Sequence, residues 1–375
     1  MASPLKIGIV CYPTIGGSGI VATELGLLLA ESGHEIHFIS YEQPVRLRIK
    51  HPNWLFHPVL VNEYALFKYP DYTLPLSVRI AEVSREFQLD ILHVHYAVPH
   101  AAAALLARLM LGDTQKPAII TTLHGTDTNL LGNDPHYRPI IKYSIENSCG
   151  ITTVSESLKN QTISTFGIKK SIEVIPNFFA PRPPKRSAEV VRKSLGVTEG
   201  ETLLLHMSNL RPGKRVNDIL EAVSLAKNVL RLKLLILAGE SFKPYESAVR
   251  RLGLDQRILV KENVQDIDDY LNACNFGIYA SEEESFGLSI LETLAHGKPV
   301  VATNTGGIPE VVQPNKTGLL VPVGNPKLLA AAIDQLVNNP AQIKTFGDIA
   351  RSDAATRFNP VKIRDHYLSY YLQFL

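Results

Sequence analysis

Cysteine is scarce in this chain, with Cys11, Cys149 and Cys274 the only three among 375 residues. They are too few and too scattered for a disulfide framework or a thiolate zinc site, which points to a reducing cytoplasm. An excess of one charge is also lacking. With 38 basic against 36 acidic residues the net charge is +2, so electrostatics make no case for nucleic acid or an anionic membrane as partner. No apolar run is long enough to span a membrane. The N-terminus enters Leu5-Lys6-Ile7-Gly8-Ile9-Val10 without the pattern of a secretory signal, so neither a membrane span nor a signal peptide is expected. What remains is a globular chain, 45% hydrophobic and long enough for two cores.

Short apolar runs alternate with helical periodicity along the whole chain. Strands are expected at 6–11, 35–40, 55–61, 91–96, 118–124, 150–155 and 172–175. A second series follows at 202–207, 232–237, 258–261, 276–280, 299–303 and 318–321. Such alternation marks parallel sheets covered on both faces. Between the two series lies Pro181-Arg182-Pro183-Pro184-Lys185-Arg186, where proline excludes helix and sheet, and it reads as a stiff crossing between domains. The expected fold is α/β, with two Rossmann-like domains at 1–180 and 181–355 whose parallel sheets face a central cleft. The last segment, 356–375, is expected to pack back on the first domain, its tyrosines at 367, 370 and 371 serving as core.

Polar residues gather where strands give way to helices, the edge at which parallel sheets bind ligands. Glu284-Ser285-Phe286-Gly287-Leu288-Ser289-Ile290-Leu291-Glu292 follows an apolar run and enters a helix. Its two carboxylates, one in the loop and one about two turns along, suit a polyhydroxylated ligand, because ionised oxygens only accept hydrogen bonds. A charged loop with a helix cap is the plain alternative. Asn209-Leu210-Arg211-Pro212-Gly213-Lys214-Arg215 sets three cations in one turn, suited to a diphosphate or to solvent. Gly306-Gly307-Ile308-Pro309-Glu310 is another such turn. Near the N-terminus, Gly16-Gly17-Ser18-Gly19 opens a helix and can take an anion there. That stretch also fits a dinucleotide fingerprint, with Glu42 about twenty residues on, which keeps a nicotinamide oxidoreductase as an alternative. A sugar-binding protein without catalysis is a third reading. His93 and His95 share one strand face, as a metal pair would, but no third ligand is evident; a packed, hydrogen-bonded role at the sheet fits better. His124, beside Gly125 at a strand mouth, is the stronger functional candidate. Asp266 and Asp268 precede a helix and read as a cap.

Taken together these turns resemble the retaining glycosyltransferases of family four, which have the GT-B fold. The likeness rests on the first glycine-rich turn, His124-Gly125-Thr126-Asp127, Arg211 with Lys214, Glu284 to Glu292, and Gly306 to Glu310. It implies that Glu284 contacts donor-sugar hydroxyls, that Glu292 holds the nucleotide ribose, and that Arg211 and Lys214 hold the diphosphate. Many members carry that arginine nearer Asn209. Gly16, Gly17, Asn209, Ser285, Phe286, Gly287 and Leu288 complete the implied donor side, and His124, Lys214, Arg211 and Glu284 the implied catalytic set. Within the family, Cys11-Tyr12-Pro13, 33–39, 92–97 and 121–127 carry a narrower likeness. It implies UDP-N-acetylglucosamine as donor and L-malate, a small dicarboxylate, as acceptor, in the first step of bacillithiol biosynthesis. Ser18, Tyr96, Thr121 or Thr122, and His124 would line the acceptor side. No metal or other cofactor is implied, and the oligomeric state stays open, a homo-oligomer included.

A thermal-shift measurement separates the oxidoreductase from the other two readings, and a bound sugar without turnover would favour the non-catalytic one. Only a ligand that binds the folded chain raises its melting midpoint. UDP is expected to raise it and NAD to leave it in place; a shift with NAD alone returns the chain to the oxidoreductases.

Overall fold

Runs rich in valine, isoleucine and leucine form the strands of two parallel sheets. The first unit carries β1 (Lys6–Val10), α1 (Gly17–Glu31), β2 (Glu35–Ser40), β3 (Trp54–Pro58), α2 (Thr73–Phe87) and β4 (Ile91–His95). It continues with α3 (Ala102–Met110), β5 (Ala118–Leu123), α4 (Arg138–Asn147), β6 (Gly150–Thr153), α5 (Glu156–Phe166) and β7 (Glu173–Val174). The sheet order is β3-β2-β1-β4-β5-β6-β7. This computed structural model describes residues 3–13, 17–44, 46–47, 51–61, 72–112 and 116–375.

Both faces of this sheet are covered, which is why its strands read as near-continuous apolar runs. On one face Val10, Ile39, Leu92, Val94 and Ile119 pack with Leu76 and Ile80 of α2 and Ala103 and Ala107 of α3. On the other, α1 comes down at Gly26, where a Cβ would stand 2.4 Å from Phe38 and 2.7 Å from Ile9. Glycine there sets how closely α1 approaches the sheet.

The second unit holds α6 (Ala188–Ser194), β8 (Thr202–Ser208), α7 (Val216–Leu225), β9 (Leu232–Ala238), α8 (Glu246–Arg251), β10 (Ile258–Glu262) and α9 (Ile267–Ala273). Then come β11 (Phe276–Tyr279), α10 (Leu288–Ala295), β12 (Val300–Thr303), α11 (Ile308–Val311), β13 (Gly318–Val321), α12 (Pro326–Val337) and α13 (Pro340–Arg357). Its order is β10-β9-β8-β11-β12-β13. In each sheet the order reverses beside the first strand, at β1/β4 and at β8/β11. At such points the loops beyond the carboxyl ends diverge and leave a crevice for ligand. The last helix, α14 (Pro360–Tyr371), belongs to the first unit and lies beside α1. Tyr367, Tyr370 and Tyr371 are buried there, and the Tyr370 hydroxyl bonds both backbone groups of Ile151.

The units are Met1–Asn177 with Pro360–Leu375, and Phe178–Asn359. By these units the chain passes between them at 177/178 and 359/360, a few residues from the expected 180/181 and 355/356. The proline run 181–186 is no free crossing but part of the second unit. Asp269 accepts from the Lys185 and Arg186 N–H groups at 2.6 and 3.1 Å and from Arg186 Nε at 2.8 Å. Asp268 accepts from the Arg182 N–H at 3.0 Å. Prolines leave few N–H groups to satisfy, and these carboxylates satisfy them. The cap reading of Asp266 and Asp268 is corrected accordingly: Asp266, at the N-cap position of α9, makes no side-chain cap bond and pairs with Lys185 Nζ at 3.0 Å. Among the described residues no helix is long and apolar enough to cross a membrane.

Asp269 is 3% exposed, so Asp269→Ala would strand three donors at once. We expect it to destabilise the protein by about 2 kcal/mol, since a bond to a charged group is worth about 1.5–3 kcal/mol and the Arg186 partner is partly in solvent. An earlier midpoint in urea unfolding checks this.

Candidate functional site

In the second unit, the site is built from backbone first. The loop from β11 to α10 is stitched on two sides. Glu282 N–H donates to Gly213 O at 2.8 Å, joining it to the turn after β8. Thr303 Oγ1 donates to Ser281 O at 2.6 Å, Thr305 Oγ1 to Glu282 O at 3.0 Å, and Gly307 N–H to Glu284 O at 2.8 Å. The paired glycines are required by that contact. A Cβ on Gly306 would lie 2.1 Å from Glu284 O, and one on Gly307 2.4 Å from Ser285 O. Gly306 also has φ +51°, where L-residues are strained.

Held this way, the half-buried Glu284 carboxylate meets the half-buried Lys214 ammonium in a close ion pair and accepts from Ser281 Oγ at 3.4 Å. Lys214 ends the short turn Pro212–Lys214. Its ammonium has three donors, so it can hold Glu284 and still reach a ligand oxygen. The other cations of that turn behave differently. Arg215 is taken up by Asp218 at 2.7 Å and Glu282 at 3.6 Å, while Arg211 is exposed, its N–H donating to Asn209 Oδ1 at 3.4 Å. The structure brings Lys214 to Glu284 but does not bring Arg211 to either. Glu292 is 5% exposed on α10. Ser285 and Leu288 are half-buried, whereas Phe286 points into the core, edge-on to Phe358 at 5.6 Å, which leaves its backbone as the part a ligand could meet. Gly287, at φ +91°, caps α10. Sequence reasoning missed His206, whose Nδ1–H donates to Ile278 O at 2.9 Å and whose Nε2 accepts from Ser208 Oγ at 2.8 Å. Ser208 in turn accepts from Leu210 N–H at 3.2 Å and so shapes the start of the cation turn. An inward-facing histidine near a strand end was the available signal.

In the first unit, polar groups meet at the ends of β1, β4 and β5. Ser18 Oγ, in the first turn of α1, lies 2.6 Å from the Tyr96 hydroxyl. Tyr96 ends β4 at φ +88°, with its N–H held by Thr122 O at 3.0 Å. Around it stand the rings of Tyr12 at 5.6 Å and His124 at 5.4 Å. His124 Nε2 meets His95 Nδ1 at 2.8 Å. Gly17 begins α1; Gly16 lies outside the described residues. Thr121 and Thr122, expected on the acceptor side, do not open to solvent. Both are 0% exposed, Thr121 bonded to Ser148 at 2.7 Å and Thr122 to His93 and Thr152 at 2.7 and 2.6 Å. They lie in the middle of a covered sheet, so either side chain points into packing. His93 and His95 are not a metal pair here: His93 is filled by Thr122 and by the Tyr371 hydroxyl at 2.7 Å. Among the described residues no group of three or more histidine, cysteine or acidic side chains is placed to hold a metal ion.

Residues 15–182 match the model of Glycosyltransferase Family 4, and 187–353 that of Glycosyl transferases group 1. The chain is 42% identical over 373 residues to the N-acetyl-alpha-D-glucosaminyl L-malate synthase of Bacillus anthracis, covering 99% of this chain and 97% of that one. The chain belongs to the family-four glycosyltransferases. Alpha-monoglucosyldiacylglycerol synthase of Streptococcus pneumoniae is a more distant relative, 22% identical across 88% of this chain and 77% of that one. Two solved structures share the GT-B fold. A glycosyltransferase of Rickettsia africae superposes with TM-score 0.82 at 22% identity, covering 100% and 99% of the two chains. Anabaena HepE, solved with UDP and glucose, gives 0.80 at 19%, covering 99% and 100%. This glycosyltransferase is not the oxidoreductase that its first turn also allowed.

Burial sets the charge states in the first unit of the enzyme. It depresses His93 and His124 to about 3, and His57 and His100 to about 4. His37 and His95 move the same way. Asp127 moves oppositely, pushed up to about 7 by burial against the bonds it accepts from backbone N–H groups. A histidine neutral in the fold but protonated near 6.5 when unfolded makes stability fall as pH drops through 6.5, and the fall continues to the folded pKa. Asp127, whose carboxyl is protonated in the fold between about 4 and 7, adds stability as pH falls, but it is one group against these histidines and His34, which burial also lowers. The melting midpoint is therefore expected to decrease steadily from pH 7 to pH 4.5; a flat profile would contradict these buried neutral rings.

Proposed function

We propose that this glycosyltransferase moves N-acetylglucosamine from UDP-N-acetylglucosamine to the 2-hydroxyl of L-malate, with retention at the anomeric carbon, as the first step of bacillithiol biosynthesis. The observation that carries this reading is the 42% identity to a protein of that name along 99% of the chain, which takes in the acceptor-side elements of the first unit. The geometry supports it. Malate is a small dianion, and Ser18, Tyr96 and His124 set neutral donors beside the first turn of α1, where free N–H groups favour an anion. The donor belongs on the second unit. Glu284 accepts from the sugar hydroxyls, Glu292 from the ribose, and the ammonium of Lys214 joins the sugar-contacting carboxylate to the diphosphate. The N–H groups of Gly287 and Leu288 add to the same charge.

In the reaction the bond from the anomeric carbon to the β-phosphate oxygen breaks and one to the malate 2-oxygen forms on the same face. The malate hydroxyl proton passes to the departing phosphate oxygen. The protein's part is to position both substrates and to stabilise the charge that grows on UDP. Arg211 lies on an exposed turn and does not meet Glu284, so Lys214 carries more of the work.

The test is to incubate the purified protein with UDP-N-acetylglucosamine and L-malate in buffer containing EDTA, following UDP release and product mass. Malate-dependent UDP with a glycosyl-malate mass is expected. Lys214→Ala and Glu284→Ala should each lower kcat by about ten- to a hundredfold, the worth of a charge-assisted bond expressed in the transition state. UDP release indifferent to malate would leave a glycosyltransferase with another acceptor.

A further inference from the structure

Four histidines stand toward the ends of β4 and β5, and two of them, His95 and His100, bury an Nε2 without a partner. His93 is filled on both nitrogens. His100 Nδ1 faces the His95 carbonyl, which only accepts, so its proton is on Nδ1. His124 is half-buried, next to Tyr96. His95 is bonded to His124. It is 1% exposed, packed against the His93 ring at 4.4 Å, and its Nδ1 meets His124 Nε2 at 2.8 Å while its own Nε2 is buried without a partner.

That orphan nitrogen decides the direction of the bond. If His124 donated, His95 would have to carry its proton on Nε2 and bury an N–H with nothing to accept it. If His95 donates through Nδ1, the orphan is a bare lone pair, and folded proteins leave acceptors unsatisfied more readily than N–H donors. We infer that His95 is a positioning residue for the acceptor site: its Nδ1–H donates to His124 Nε2, which places the His124 proton on Nδ1, the nitrogen left for a ligand. The chain of restraint continues behind it, since the His93 ring that backs His95 is clamped by Thr122 of β5 and Tyr371 of α14. Resting on the malate reading, this makes His124 a hydrogen-bond donor to an acceptor oxygen and leaves the acceptor's own proton to the departing phosphate.

The tautomer is read directly on the full-length protein carrying isotope-labelled histidine, from two-bond proton–nitrogen correlations of the rings. His124 is assigned by the pattern lost in His124→Asn. The wild type is expected to show His124 protonated on Nδ1. His95→Phe, which has no donor, should lose that pattern and lower kcat/KM for the acceptor about tenfold with the donor KM unchanged. His95→Asn, which sets an amide N–H near the Nδ1 position, should restore both. A wild-type His124 protonated on Nε2 overturns the inference whether or not any variant folds, and so does a His95→Phe protein that keeps the wild-type pattern. Because the tautomer is seen without turnover, a chain that ignores malate would still show it, and failure of the acceptor assignment stays separate from failure of this one.

Discussion

The hydrogen bond from Gly307 N–H to the Glu284 carbonyl is the constraint on which the second unit's site depends. It brings two backbones so close that no Cβ fits between them, and in doing so it fixes the loop that carries Glu284. Side-chain contacts alone would leave a surface glutamate free to turn among rotamers. Backbone pinned by backbone gives its carboxylate one origin, and Lys214, whose turn is joined to the same loop through Gly213 and Glu282, meets it there. Preorganisation of this kind lets a charge stabilise a transition state without first being moved into place.

The first unit solves a different problem. Its site lies over a row of polar side chains inside a covered sheet, where every unpaired polar atom is expensive. Thr121 pairs with Ser148, Thr122 with Thr152 and His93, and Tyr371 with His93, and burial holds the histidines neutral. The C-terminal helix is part of this arrangement, because Tyr371 supplies the hydroxyl that fills His93. A helix that reads as apolar packing thus also completes a polar network beneath the ends of β4 and β5.

Legibility followed the physics of each signal. Strands were readable because a buried parallel strand must be apolar on both sides, and strand-to-helix turns were readable because glycine and charge concentrate there. The paired glycines at 306 and 307 were readable as a tight turn but not as the clamp on Glu284, since the loop they touch is some twenty residues away in sequence. Proline at 181–186 rightly excluded helix and sheet, yet whether such a run hangs free depends on acceptors elsewhere, and those came from Asp268 and Asp269. How deeply Thr121 and Thr122 are buried was not readable, because a strand mouth and a strand interior look alike until neighbouring strands set how far the sheet extends.

The sequence by itself determined the α/β alternation, the two parallel sheets, the family and the strand-to-helix turns where polar residues gather, because periodicity and local turn chemistry act over a few residues. Tertiary structure alone decided which of the cations in one turn reaches Glu284, which histidine nitrogens meet a partner, and where the proline run is held. Those outcomes depend on hydrogen-bond partners brought together from distant strands, and a donor's choice of acceptor is not encoded within its own segment.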